Sequence, residues 1–286
     1  MEMRYWLRAR GGKITLYGGF VVFAVIVLFP FYFIVASSFT PRYEIFQIPP
    51  RYFPEHPTLD NYPNMMNAIP FWDYYVNTLV FAVGSTVVSV FASAMAGYAL
   101  ARLKFPGSNA VFLGLVLSIA LPQVALLVPM YEIFRVLNLN STEAGNFFGL
   151  ITLMSSLITP FTVWIMVSFV DQIPAEMEEA GYIDGANMFQ VITRIVLPAM
   201  RPAIATMLII NFIISWNELL YPLVFAVRQN KTLSVGLVSL GRDAMGASRP
   251  WDLMSAMCVL MIVPVIILVI FGQRAIVSGL TRGAVK

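Results

Sequence analysis

The sequence predicts an all-α integral membrane protein with six transmembrane helices. Three observations carry this: an oily composition, six apolar runs nearly free of charge, and one polar island, Glu176–Ala186, between the fourth run and the fifth. Hydrophobic residues make up 59% of the 286 and charged residues only 12%, about half the charged share with which soluble domains solvate their surface. A mean hydropathy of +0.78 agrees. Lipid must replace water over most of the chain.

A bilayer core takes about 20 apolar residues per helix, and residues 14–38, 74–101, 108–131, 145–170, 202–227 and 252–273 supply them. The first run is a retained anchor. Its apolar core, Ile14 to Ser38, is too long for a cleaved signal peptide and lacks a small-residue cleavage site. Between the first two runs, Pro41, Pro49, Pro50, Pro54, Pro57, Pro63 and Pro70 predict an extended, ordered flap on the membrane surface. His56, the lone histidine, reads as a loop residue rather than a ligand, so neither a role nor a metal is expected.

The second run is studded with small residues, Gly84, Ser85, Ser89, Ala92, Ser93, Ala94, Ala96 and Gly97. In lipid these let helices pack backbone to backbone, which predicts a buried central helix; a substrate-facing wall is the alternative. Pro122 and Pro129 kink the third run or free its carbonyls. In the fifth, Asn211, Asn217 and Glu218 are polar groups at membrane depth or near its edge. Such groups are costly and usually functional, facing either a cavity, here the substrate pathway, or a partner helix. For Glu218 the alternative is an interfacial anchor capped by Arg228 or Arg242, with Trp216 and Tyr221 in an aromatic belt.

Six spans put both termini on one side of the membrane. The N-terminal tail (residues 1–13), the turn at Arg102 and Lys104, the island with its continuation to Arg194 and Arg201, and the C-terminus (Arg274 with the tail, residues 275–286) hold eleven of the eighteen basic residues. The positive-inside rule makes these segments, and both termini, cytoplasmic.

The island itself, within the loop of residues 171–201, reads as a helix-turn-helix. Pro174 and the glutamates behind it suit a helix start. Gly181 and Gly185, four apart, fall on one helical face open to close approach, with Met177 and Ile183 as apolar grip. Glu176, Glu178, Glu179 and Asp184 are expected to face water or a partner. A second helix, Met188 to Val196, is expected to stop at Leu197-Pro198.

Glu179-Ala180-Gly181, then Gly185, then Ile195-x-Leu197-Pro198 resembles the signature loop of the membrane permeases of ATP-binding-cassette importers: Glu-Ala-Ala, three residues, Gly, nine residues, Ile-x-Leu-Pro. Every spacing is kept, and the one departure is Gly181 in place of alanine. Residues 49–62, the Gly97 to Gly107 turn and the C-terminal text are similar to the carbohydrate permeases of that family, the tail to its maltose-type branch. The resemblance implies a six-span permease domain over residues 14–274. It also implies a cytoplasmic coupling loop in which Glu178, Glu179, Ala180, Gly181, Asp184, Gly185, Ala186, Ile195, Leu197 and Pro198 dock an ATPase. Gly279, Leu280, Thr281, Arg282, Gly283 and Lys286 are a second ATPase contact on the same grounds. The implied partners are a second permease, two cytosolic ATPase subunits and an extracytoplasmic solute-binding protein, in a prokaryotic inner membrane.

On this reading the chain binds no cofactor; ATP and Mg belong to the ATPase subunits. Gly11-Gly12-Lys13 lacks both the leading glycine and the hydroxyl of a phosphate loop. A lone cysteine, Cys258, and a lone histidine leave no disulfide, metal cage or Cys-His pair, so enzymatic chemistry is not expected. A net charge of +3, spread over short loops, excludes nucleic-acid binding. The cargo is a sugar or oligosaccharide, with glycerol phosphate or another polyol derivative as the alternative. An ion-driven secondary transporter, the reading from another class, calls for midplane charges in several spans and an inverted repeat. Only Glu218 fits, and no repeat is evident.

Overall fold

The computed structural model describes residues 2–49, 51–103, 105–242 and 249–284, with side chains from Leu16 in the first helix to Gln273 in the last, those of Arg228 and Arg242 excepted. All regular structure among them is helical: α1 (Glu2–Ser38), α2 (Arg42–Ile45), α3 (Asn61–Ala68), α4 (Phe71–Arg102), α5 (Ser108–Ile119), α6 (Leu127–Val136), α7 (Glu143–Val170), α8 (Ala175–Ile183), α9 (Met188–Val191), α10 (Leu197–Ala199), α11 (Arg201–Trp216), α12 (Leu220–Phe225), α13 (Leu233–Arg242) and α14 (Trp251–Ala284). Four helices are long and apolar enough to cross a membrane: Leu16–Ser38 of α1, α4, α7 and Trp251–Gln273 of α14. Two bent pairs bring the total to six if each is one span.

The first bend has a backbone cause. Pro122 adopts extended geometry and separates α5 from the helical stretch Gln123–Val136, the two meeting at 106°. Pro129, expected to kink the same run, lies in the first turn of α6, where its missing N–H breaks no ladder. The second bend, 70°, falls between Met188–Ala199 and Arg201–Trp216.

The chain divides into two compact units. In the first, residues 1–70 with 237–263, α1 begins at Glu2, so the expected N-terminal tail continues the helix instead of preceding it. The flap is ordered, by specific bonds. Asn61 donates from Nδ2 to the carbonyls of Ser38 and Thr40 at 3.0 and 2.9 Å, and the Tyr62 hydroxyl lies 3.0 Å from Ser38 Oγ. Glu44, in the short α2, is buried, and its carboxylate accepts the Glu55 N–H at 3.1 Å and meets His56 Nδ1 at 2.7 Å. His56 thus has two carboxylates near it, its sequence neighbour Glu55 and Glu44, which the fold returns to its side.

The second unit, residues 71–236 with 264–286, is centred on α4 against α7, with α11 across both. Small residues make this packing possible, as the sequence predicts: a Cβ on Gly97 would stand 2.6 Å from Met166 Cβ. Hydroxyls bridge the seam. Ser155 donates to the Ser85 carbonyl at 3.2 Å, and Thr159 to Ser89 Oγ at 3.1 Å. Asn211 of α11 closes the set, fully buried, with Nδ2 2.9 Å from Thr162 Oγ1 and 3.5 Å from Ser89 Oγ. Apolar layers from α4, α7 and α11 complete the core around Met166, Val170, Met200 and Met207.

The fifth span differs from its expected 202–227. The helix ends at Trp216 because Glu218 starts a new one, its Oε1 accepting the Leu220 and Tyr221 N–H groups at 2.7 and 3.2 Å. Asn146 then fastens the following chain, donating to the Phe225 carbonyl and accepting from Val227 N–H. Trp216 and Tyr221 are buried in protein, not in a lipid-facing belt; Trp216 stacks on Phe212.

Close approach at Gly97 predicts a selective sensitivity. Gly97→Val should lower the thermal midpoint of the purified protein in detergent, through overpacking worth about 1–3 kcal/mol. Gly114→Val, on a surface with nothing within 4 Å, should leave it unchanged.

Candidate functional site

The polar island folds as two short helical pieces joined by a turn. The preference of acidic residues for a helix N-terminus places Glu176 and Glu178 in the first turn of α8. The helix ends in a Schellman pair: Ala186 N–H bonds the Gly181 carbonyl and Gly185 N–H the Tyr182 carbonyl, both at 3.0 Å. This geometry requires a left-handed residue, and Gly185 supplies it with φ at 86°. Gly185 is therefore the terminator of α8 and does not share a helical face with Gly181.

The close approach expected at Gly181 is internal to the loop. An added Cβ there would stand 2.5 Å from Ile195 Cδ1, so the glycine lets the second piece lie on the first. That piece opens with a capping box, Asn187 Oδ1 accepting Gln190 N–H and Gln190 Oε1 accepting Asn187 N–H, both at 2.9 Å. It does not stop at Leu197-Pro198. Proline cannot donate and crowds the preceding turn, which widens into a π turn over Ile192–Val196, and helix resumes through Ala199.

The four carboxylates part company. Glu176, Glu179 and Asp184 are exposed, whereas Glu178 is 6% exposed and turned into the protein. Its Oε1 lies 2.6 Å from Arg102 Nε, and its Oε2 accepts the Tyr98 hydroxyl at 3.0 Å. Arg102 also donates from Nη2 to the Val170 carbonyl at 2.9 Å and to that of Ile173. The expectation that Glu178 faces a partner is thus corrected: a buried carboxylate needs an opposite charge and hydrogen bonds, and the end of α4 provides both. No feature of the sequence within the island separates Glu178 from Glu179; only the fold does.

What the loop presents outward is an apolar strip ringed by acid. Ile183 is 86% and Phe189 74% exposed, with Met177, Tyr182 and Met188 beside them, and Glu179 and Asp184 at the rim. Ala180 is exposed, Ala186, Ile195, Leu197 and Pro198 half-buried. Tyr182, Met188 and Phe189 were not singled out from the sequence, although their spacing across the turn was available. Of the expected pathway residues, Asn211 is spent on helix packing, Glu218 on the start of α12 and Asn217 Nδ2 on the Ile213 carbonyl at 2.8 Å; Asn217 alone is exposed. Gly279, Leu280, Thr281, Arg282 and Gly283 lie in the helical backbone of α14, whereas their side chains, and Lys286 altogether, lie outside the described residues.

Residues 89–282 match the family described as binding-protein-dependent transport system inner membrane component. The chain is 34% identical over 280 residues to the inner membrane ABC transporter permease protein YcjP of Escherichia coli (strain K12), covering 96% of each. It is 31% identical over 269 residues to the diacetylchitobiose uptake system permease protein DasC of Streptomyces coelicolor, covering 93% of this chain and 94% of that one. Among solved structures, a bacterial ABC transporter involved in the import of the acidic polysaccharide alginate contains a chain of the same fold. Its TM-score is 0.78 at 23% identity, covering 93% of this chain and 96% of that one.

The left-handed turn separates two substitutions. Gly185→Ala should cost about 1 kcal/mol from backbone strain alone, since an added Cβ meets nothing within 4 Å. Gly185→Asn should cost less, because Asn tolerates that region. Paired thermal melts read the difference.

Proposed function

The chain belongs to the family of inner membrane components of binding-protein-dependent transport systems, and on that premise we propose that it is one transmembrane permease subunit of an ATP-driven carbohydrate importer. The observation that carries this reading is the two-piece loop Ala175–Ala199. Its signature spacing is realised as a packed, capped unit on which Ile183 and Phe189 are left largely uncovered by the described residues, with Met177, Tyr182 and Met188 about half exposed. A strip of that kind rimmed by Glu179 and Asp184 fits a cleft with apolar walls and basic edges, as on a cytosolic ATPase.

In this reading the loop and both termini are cytoplasmic. The C-terminal residues Gly279 to Lys286 make a second contact with the ATPase pair, which binds ATP and Mg. A second permease completes the pathway, and an extracytoplasmic binding protein delivers the cargo, as the family's description implies. Carbohydrate as the cargo class is supported by what DasC and the alginate transporter are named for. On the pathway side, Asn217 is exposed and Glu218 half-buried at the break between α11 and α12.

The strip is the test. Ile183→Asp combined with Phe189→Asp should reduce ATPase activity co-purifying with the chain at least ten-fold, about the loss expected when apolar anchors are removed from an interface. The thermal midpoint should stay unchanged, because both side chains are exposed. Undiminished ATPase activity in the eluate would refute docking through this loop.

A further inference from the structure

The loop is tied to the membrane helices at a place its chain path does not explain. Covalently, α8 continues from α7 through residues 171–174, a four-residue link ending in Pro174. A force on α8 could simply pivot it there. Arg102, the last residue of α4, removes that freedom, although it stands 76 residues from Glu178 in sequence.

Its guanidinium engages three elements at once. It pairs with Glu178 of α8, bonds the carbonyl of Val170, the last residue of α7, and bonds the carbonyl of Ile173 in the link. The Val170 carbonyl, which also accepts the Ile173 N–H at 3.0 Å, lies at the C-terminal end of α7, so the cation complements the negative end of that helix. Arginine's planar fork suits this three-way task, which a lysine's point charge does not. Tyr98, one turn back along α4, holds the second carboxylate oxygen. On the far side of α8, Gly181 seats Ile195, so the second piece of the loop moves with the first.

We propose that Arg102 and Glu178 form the strut by which displacement of the docking helix α8 is delivered to α4, so that α4, α7 and α8 move as one body in the transport cycle. The two adjacent glutamates divide the work: Glu179 faces outward to the ATPase, and Glu178 faces inward to the machine. Arg102 and Glu178 are positioning residues, touching neither nucleotide nor cargo. The inference rests on the reading that an ATPase docks on α8. It adds that the second membrane span is driven directly, through a side-chain contact. An ion pair suits a strut because its geometry fixes register, where an apolar contact could slide.

The test uses the chain purified with its ATPase subunits in nanodiscs, with Cys258→Ser and spin labels on Glu176→Cys and Val87→Cys, both exposed positions on α8 and α4. Distances are measured without nucleotide and after trapping with Mg-ATP and vanadate. With the strut intact the α8 to α4 distance should be the same in both states. In Arg102→Ala and in Glu178→Gln it should shift on trapping by about 5 Å, roughly one helical turn, while the ATPase still co-elutes. A shift with the strut intact, or no shift in either variant, overturns the proposal. If Arg102→Ala does not insert, Glu178→Gln, which keeps the side-chain volume, decides alone. Failure of the underlying reading looks different: no ATPase accompanies the folded, unlabelled wild type.

Discussion

One buried carboxylate organises the cytoplasm-proposed end of this molecule. Glu178 sits in an acidic helix whose other charges are exposed, and its burial is tolerable only because Arg102 and Tyr98 meet both of its oxygens. The same guanidinium closes the end of α7. Remove the arginine and three things fail together: a buried charge loses its partner, a helix loses its cap, and the loop loses its connection to α4.

The rest of the second unit follows from the membrane's demand that backbone groups be satisfied within the protein. Where helices are continuous, as in α4 and α7, small residues allow close approach and hydroxyls bridge the seam. Where they break, a polar side chain takes over the freed groups. Glu218 collects two N–H groups at the start of α12, and Asn146 holds both a carbonyl and an N–H beyond its end. Polar residues that look like cargo contacts in the sequence are therefore largely occupied in holding broken helices together.

That competition explains how much was legible. Apolar runs between charges located the four helices long enough to cross a membrane, and the signature spacing located the loop, since both depend on residue type along the chain. What escaped depends on where a side chain points. Glu178 and Glu179 are chemically alike, and only the rotation of about 100° between neighbours on a helix sends one inward. Gly185 reads as a face residue until the chain shows its left-handed turn, and Pro198 as a stop until it shows a π turn. The fifth run looked long enough for one helix because hydropathy does not register the carboxylate that restarts it. His56 looked isolated because Glu44 is brought back to it only by the folded flap.

Whether loop and membrane helices form one body comes down to a single interaction energy, which a double-mutant cycle on thermal or denaturant stability measures directly. With Arg102→Ala, Glu178→Ala and the pair combined, a buried, hydrogen-bonded ion pair should give a coupling of about 1.5–3 kcal/mol, the double variant costing much less than the sum of the singles. Additivity within about 0.5 kcal/mol would mean that the two side chains do not act on each other, and that the loop is held by its chain connection alone.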